Sequence, residues 1–168
     1  MIIWRMIAVM LTLALVQLGF LAAWRPLDIV PNLLLAATVA LALRGNARPV
    51  MLAAAVCGLC LDLNSGAYFG LWTLTLPLAA FGAKLLQRTG LIGNDVATGL
   101  IIVMGATLTS GAIIIAGMIG ILRDWPIGLL VGRLGAELAV NGLFFGAFWL
   151  PARWMVVPKD TLPGVRRR

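Results

Sequence analysis

The chain alternates long apolar runs with short polar breaks. Met6–Trp24 is a run of nineteen uncharged residues, bounded by Arg5 and Arg25. Ile29–Leu43 is uncharged but short, and Val50–Leu61 is shorter. A polar break, Asp62, Asn64, Ser65 and Gly66, then precedes Tyr68–Ala83, which ends at Lys84. Val96–Leu122 is a long uncharged run, and Pro126–Leu150 is apolar apart from Arg133, Glu137 and Asn141. A spanning helix needs roughly 20 apolar residues, with about 17 as the lower limit. Longer runs are accommodated by tilt. These runs predict helices rather than strands, because lipid forces every backbone polar group to be satisfied within its own segment.

The segment 50–83 fits either one long helix or a hairpin of two short ones. Arg44 and Arg48 flank it on one side, Lys84 and Arg88 on the other. A hairpin keeps both groups on one side of the membrane, as the positive-inside rule requires. The Asp62–Gly66 break supplies residues suited to a turn. Six crossings follow, over 6–24, 29–43, 50–63, 67–83, 96–122 and 126–150. Residues 1–157 form one transmembrane domain and 158–168 a basic cytoplasmic tail. Arg5, Arg44, Arg48, Lys84, Arg88, Arg153, Lys159 and Arg166–Arg168 then fall in the cytoplasm, with Arg25 and Arg123 outside. Both termini are expected in the cytoplasm. Trp24, Trp125, Trp149 and Trp154 lie at helix ends, where interfacial aromatics belong.

Composition strengthens this picture. The chain of 168 residues is 62% hydrophobic and 11% charged. A soluble domain is about 45–50% apolar and about 25% charged. The fold class is therefore an all-α membrane protein, a compact bundle of six short transmembrane helices. The net charge of +7 is spread between apolar runs and forms no single basic stripe, which argues against nucleic acid. The Arg-rich tail suits an anionic lipid surface. The Leu21–Arg25 end of the first run is a poor signal-peptidase site, so the first helix is read as uncleaved.

Few residues offer chemistry. Cys57 and Cys60 form a C-x-x-C within an apolar run, and the chain has no histidine. They read as packing cysteines rather than a zinc or redox centre. No nucleophile–base spacing, dense carboxylate cluster or phosphate loop is visible, so neither catalysis nor a cofactor or metal is expected. Asp62 sits at a helix end. It either binds a cation or substrate, or caps the next helical turn, or pairs with Arg25. Ser65 carries the same ambiguity.

The last run carries two seams. Arg133, Glu137 and Asn141 recur every four residues and share one helix face. Gly128, Gly132, Gly135, Ala139, Gly142 and Gly146 fall on the opposite face. Ionisable groups at this depth cost about 2.5–3.5 kcal/mol each on insertion scales and need pairing and shielding. Small residues let another helix approach closely. This helix is expected to be buried on both faces, with both seams filled within the chain or one of them by another protein.

Three stretches resemble the MreD family of rod shape-determining membrane proteins. They are Pro31-Asn32-Leu33-Leu34-Leu35, Val140-Asn141-Gly142-Leu143, and the segment Gly58, Asp62, Ser65, Gly66 and Gly70, which is similar to a G-x-x-x-D-x-x-S-G-x-x-x-G signature. Arg133 and Glu137 match no family motif. The resemblance implies a non-enzymatic scaffold of the bacterial elongation machinery in the inner membrane. Its implied partners are an MreC-like protein, MreB, a RodA-type glycosyltransferase and a class B penicillin-binding transpeptidase. It also implies a fold similar to the S-components of energy-coupling-factor vitamin transporters. An S-component is the alternative function. Its A-x-x-x-A docking motif is missing from the first helix, and that spacing occurs instead at Ala36/Ala40 and Ala112/Ala116. A lipid-modifying enzyme using Asp62 is a third reading.

Overall fold

The computed structural model describes residues 2–21, 31–65, 68–121 and 127–155. Among these are six α-helices: α1 (Ile2–Val16), α2 (Leu33–Arg44), α3 (Ala47–Ser65), α4 (Leu71–Thr89), α5 (Asp95–Ile121) and α6 (Ile127–Met155). A π-helical turn over Gln17–Leu21 continues α1. Arg25, Gly66, Trp24, Trp125 and the tail 158–168 lie outside the described residues, as do the side chains of Ser65 and Trp154.

The segment 50–83 is a hairpin. Its two helices are longer than the apolar runs, because the helices continue through Arg48 at one end and through Lys84 and Arg88 at the other. Val50, Ala54, Cys57 and Leu61 of α3 turn inward, as do Leu76, Ala79, Ala80 and Ala83 of α4. Leu52, Val56, Leu59 and Leu63 of α3 and Leu74, Leu78, Phe81 and Leu85 of α4 face outward. Each helix is thus apolar on its exposed side as well as its buried one. A helix apolar all round belongs in a large core or in a membrane. Ala47–Asn64, Asp95–Met118 and Gly128–Ala152 are long and apolar enough to cross a membrane.

The centre of the bundle is α2. Every residue from Leu33 to Leu43 is buried, and α2 packs against α1, α3, α4, α5 and α6. Its alanines, Ala36, Ala37, Ala40 and Ala42, keep its surface slim enough for close approach. With 12 residues, α2 is about 18 Å long at 1.5 Å per residue. The hydrocarbon core is about 30 Å thick. The helix expected from Ile29 starts four residues later, at Leu33, and is shorter than this thickness.

The C-terminal end of α2 is held by polar groups from its neighbours. The Leu43 carbonyl accepts from Gln87 Nε2 at 3.1 Å and from Lys84 Nζ at 3.5 Å. The Gly45 N–H returns to the Leu41 carbonyl. The Arg44 guanidinium lies 3.9 Å from the centre of the Trp149 ring, a cation–π contact that ties α2 to α6. Arg44, Arg48, Lys84 and Arg88 consequently collect at one end of the bundle.

Candidate functional site

Three clusters hold the residues singled out in the sequence. The first is the α3–α4 turn. Asp62 is in the last turn of α3 and is 4% exposed. Its Oδ1 accepts from the Trp72 N–H at 2.9 Å. Its Oδ2 accepts from the Gly70 N–H at 3.1 Å, the Thr73 N–H at 2.9 Å and the Thr73 hydroxyl at 2.6 Å. The first N–H groups of a helix have no partner inside it, and an acidic oxygen nearby also meets the positive end of the helix dipole. The Asp62 carboxylate therefore caps α4 from the preceding helix.

The glycines around Asp62 have separate geometric reasons. Gly70 precedes α4 with φ of 94°, a left-handed conformation that glycine adopts without strain. Gly58 lies where α3 crosses α4. A Cβ there would stand 2.5 Å from the Trp72 carbonyl oxygen, a backbone atom that cannot swing aside. The spacing of Gly58, Asp62 and Gly70 thus encodes one hairpin: close approach, cap and turn.

The second cluster joins the other two sequence stretches. Asn32 caps α2, its Oδ1 accepting from the Leu35 N–H at 2.9 Å. The Asn32 N–H donates to Asn141 Oδ1 on α6 at 2.7 Å. Asn141 Nδ2 donates in turn to Thr107 Oγ1 on α5 at 3.0 Å. The Leu34 N–H donates to Gln17 Oε1 at the end of α1 at 3.1 Å. Four helices meet at the start of α2, and three side-chain carbonyls satisfy donors that would otherwise be stranded in an apolar interior. Pro31 is buried beside them and has no N–H of its own to satisfy. Sequence reasoning missed Gln17, Thr107 and Thr73. The available signal for Gln17 was a lone amide in an otherwise apolar run.

The third cluster is α6, and here the expectation needs correction. Arg133 Nε donates to Glu137 Oε1 at 3.2 Å, so the pair forms. The chain does not bury it: Arg133 is 48% and Glu137 26% exposed. Only Asn141 of the trio is enclosed. The pair borders a cavity of about 150 Å³ between α5 and α6, whose apolar wall includes Gly111, Ile115, Met118 and Leu134. On the opposite face, Gly128, Gly132, Gly135, Ala139 and Gly146 are exposed. A Cβ at any of these glycines would meet nothing within 4 Å. Only Gly142 lies against α5, beside Leu100 and Met104. The physical reason is the placement of α6 at the edge of the bundle. Its buried stripe runs through Leu130, Asn141, Phe145 and Ala152, and takes in only Asn141 of the polar seam.

The remaining chemistry is sparse. Cys57 is in the core and Cys60 is half-buried, both as free thiols. No group of three or more metal-ligating side chains occurs among the described residues.

A helical membrane protein held by a capped hairpin and a four-helix amide network is the class these observations define. The family model for rod shape-determining protein MreD matches residues 1–156, and the chain belongs to that family. Its role therefore lies in rod shape determination, as a membrane component of the Mre shape system. No curated protein and no solved structure matches the chain.

Proposed function

We propose that the chain is a non-enzymatic scaffold of the elongation machinery in the inner membrane, docking the transmembrane helix of an MreC-like protein on α6. The open small-residue seam of α6 carries this reading. Glycine and alanine at Gly132, Gly135, Ala139 and Gly146 leave a shallow channel that a second helix can enter, and close backbone approach is what drives helix association in lipid. The Arg133–Glu137 pair supports it from the other face, since a half-exposed ion pair at membrane depth needs protein or polar cover. The chain crosses the membrane six times with both ends in the cytoplasm, which keeps the Arg44, Arg48, Lys84 and Arg88 cluster on the cytoplasmic side. RodA-type, transpeptidase and MreB partners attach to the same assembly.

The test is photo-crosslinking in cells from Gly132 and Ala139 on the small seam and from Glu137 on the polar face. An MreC-like adduct from the small seam is expected. Adducts with lipid alone from all three positions would sink the reading.

A further inference from the structure

At the end of the bundle where α3 begins and α4 finishes, the two helices enclose an open cavity of about 470 Å³. Its rim carries Arg48, Lys84 and Arg88, and its wall Met51, Phe81 and Leu85. The layering is regular. On α4, positions 81, 84, 85 and 88 share one face. Residues one helical turn apart differ in depth by about 5 Å, so the apolar wall lies a turn deeper in the bundle than the guanidinium groups. Phe81 and Leu85 are 50% and 52% exposed, although they line a cavity rather than a flat surface.

Among the described residues, Arg48 and Arg88 form no ion pair, the one present being Arg133–Glu137. Lys84 is partly committed, donating to Gln87 Oε1 at 2.7 Å. Asp95 is engaged by Gln87 Nε2 at 2.8 Å and does not line the cavity. Burial and the adjacent Arg88 push the Lys84 ammonium below its ordinary value, with Asp95 opposing. Three cations crowd this rim, and among the described residues the carboxylate acting on them is Asp95, through Lys84.

We propose that this cavity binds an anionic phospholipid of the adjoining leaflet, its phosphate held by Arg48 and Arg88 and an acyl chain laid along Met51, Phe81 and Leu85. Three features select this ligand. Guanidinium groups match phosphate oxygens in two-pronged geometry. The rim lies at the end of an apolar span, at headgroup depth. The wall continues inward as apolar surface, which a free anion would not use and a lipid tail does. Basic pockets between transmembrane helices are known to recruit anionic headgroups in this way. The inference stands apart from the docking role of α6.

Native mass spectrometry of the full, delipidated chain tests it. The probes are phosphatidylglycerol and phosphatidylcholine with identical acyl chains, and inorganic phosphate. Phosphatidylglycerol is expected to bind at least about tenfold more tightly than phosphatidylcholine, since each cation near an anionic headgroup contributes about fivefold. The R48Q/R88Q variant should lose that preference, and R48K/R88K should keep only part of it, because an ammonium supplies the charge without the two-pronged geometry. Equal binding of the two lipids, or an unaltered preference in R48Q/R88Q, overturns the proposal. So does displacement of lipid by millimolar phosphate, which would identify a free-anion site. Should R48Q/R88Q not fold, R88Q alone decides by the same comparison.

Discussion

The backbone N–H of Asn32 donates to Asn141 Oδ1 at 2.7 Å, joining residues 109 positions apart. Asn141 is thereby an extension of the α2 cap, supplied by another helix. Replacing Asn141 by Leu keeps the volume, strands the Asn32 N–H and removes the bond to Thr107. A buried donor left without a partner costs about 1–3 kcal/mol. N141L should lower the thermal midpoint in detergent, and T107V should lower it less, because only one bond is lost. Unchanged melting of N141L would remove the network from the account of stability.

Asp62 offers a sharper contrast. Both of its oxygens face donors, so D62N must turn an NH₂ group toward at least one N–H. Asn is therefore nearly as damaging as Ala here, and a lost cap costs about 0.5–2 kcal/mol. Faster hydrogen exchange at the Trp72 and Thr73 amides is expected in both variants. A catalytic role would instead leave exchange untouched in D62N and abolish a turnover.

Gly58 and Gly142 separate close approach from ordinary contact. G58A drives a methyl group into the Trp72 backbone, and overpacking of this kind costs about 1–3 kcal/mol. A Cβ at Gly142 would sit 3.5 Å from the side chains of Leu100 and Met104, a normal packing distance. G58A should destabilise the hairpin, measurable as protease cleavage near residues 66–70, whereas G142A should not. Equal effects would mean that α3 and α4 can part freely.

The ion pair predicts a non-additive result. E137L leaves Arg133 as an uncompensated charge on a membrane-embedded helix, and R133L does the same to Glu137. Each single variant should accumulate to a lower level in membranes than the R133L/E137L double variant, because the lone charge is the costly state. Additive losses would show that the two residues act separately.

A fifth prediction concerns the small seam. G132L and A139L fill space that no part of the described chain occupies. Both should leave the melting temperature of the purified chain near that of the unsubstituted protein and reduce recovery of an MreC-like partner. Destabilised but partner-competent variants would contradict the docking model.

Much of the hairpin was legible in the sequence. Arg44 and Arg48 with Lys84 and Arg88 argued for two helices, and the Asp62–Gly66 break located the turn. The capping role of Asp62 stood among several readings, and only the positions of Gly70, Trp72 and Thr73 show the cap. The faces of α6 were less legible. In a soluble helix the apolar face is the buried one, but in lipid both faces are apolar. Leu129 and Leu143 are exposed while Leu130 is buried, and nothing in their chemistry distinguishes them. Spacing showed that two seams exist, but not that the chain leaves both largely open.

The amino-acid order alone determined that lipid surrounds this protein, since its apolar residues exceed what a small water-facing core holds, and it determined where polar breaks interrupt the helices. Tertiary structure decided that α2 begins deep within the bundle at Asn32. A helix can start there only where side chains from distant segments, Gln17 and Asn141, satisfy its free N–H groups. That requirement acts through space, and no local run of residues expresses it.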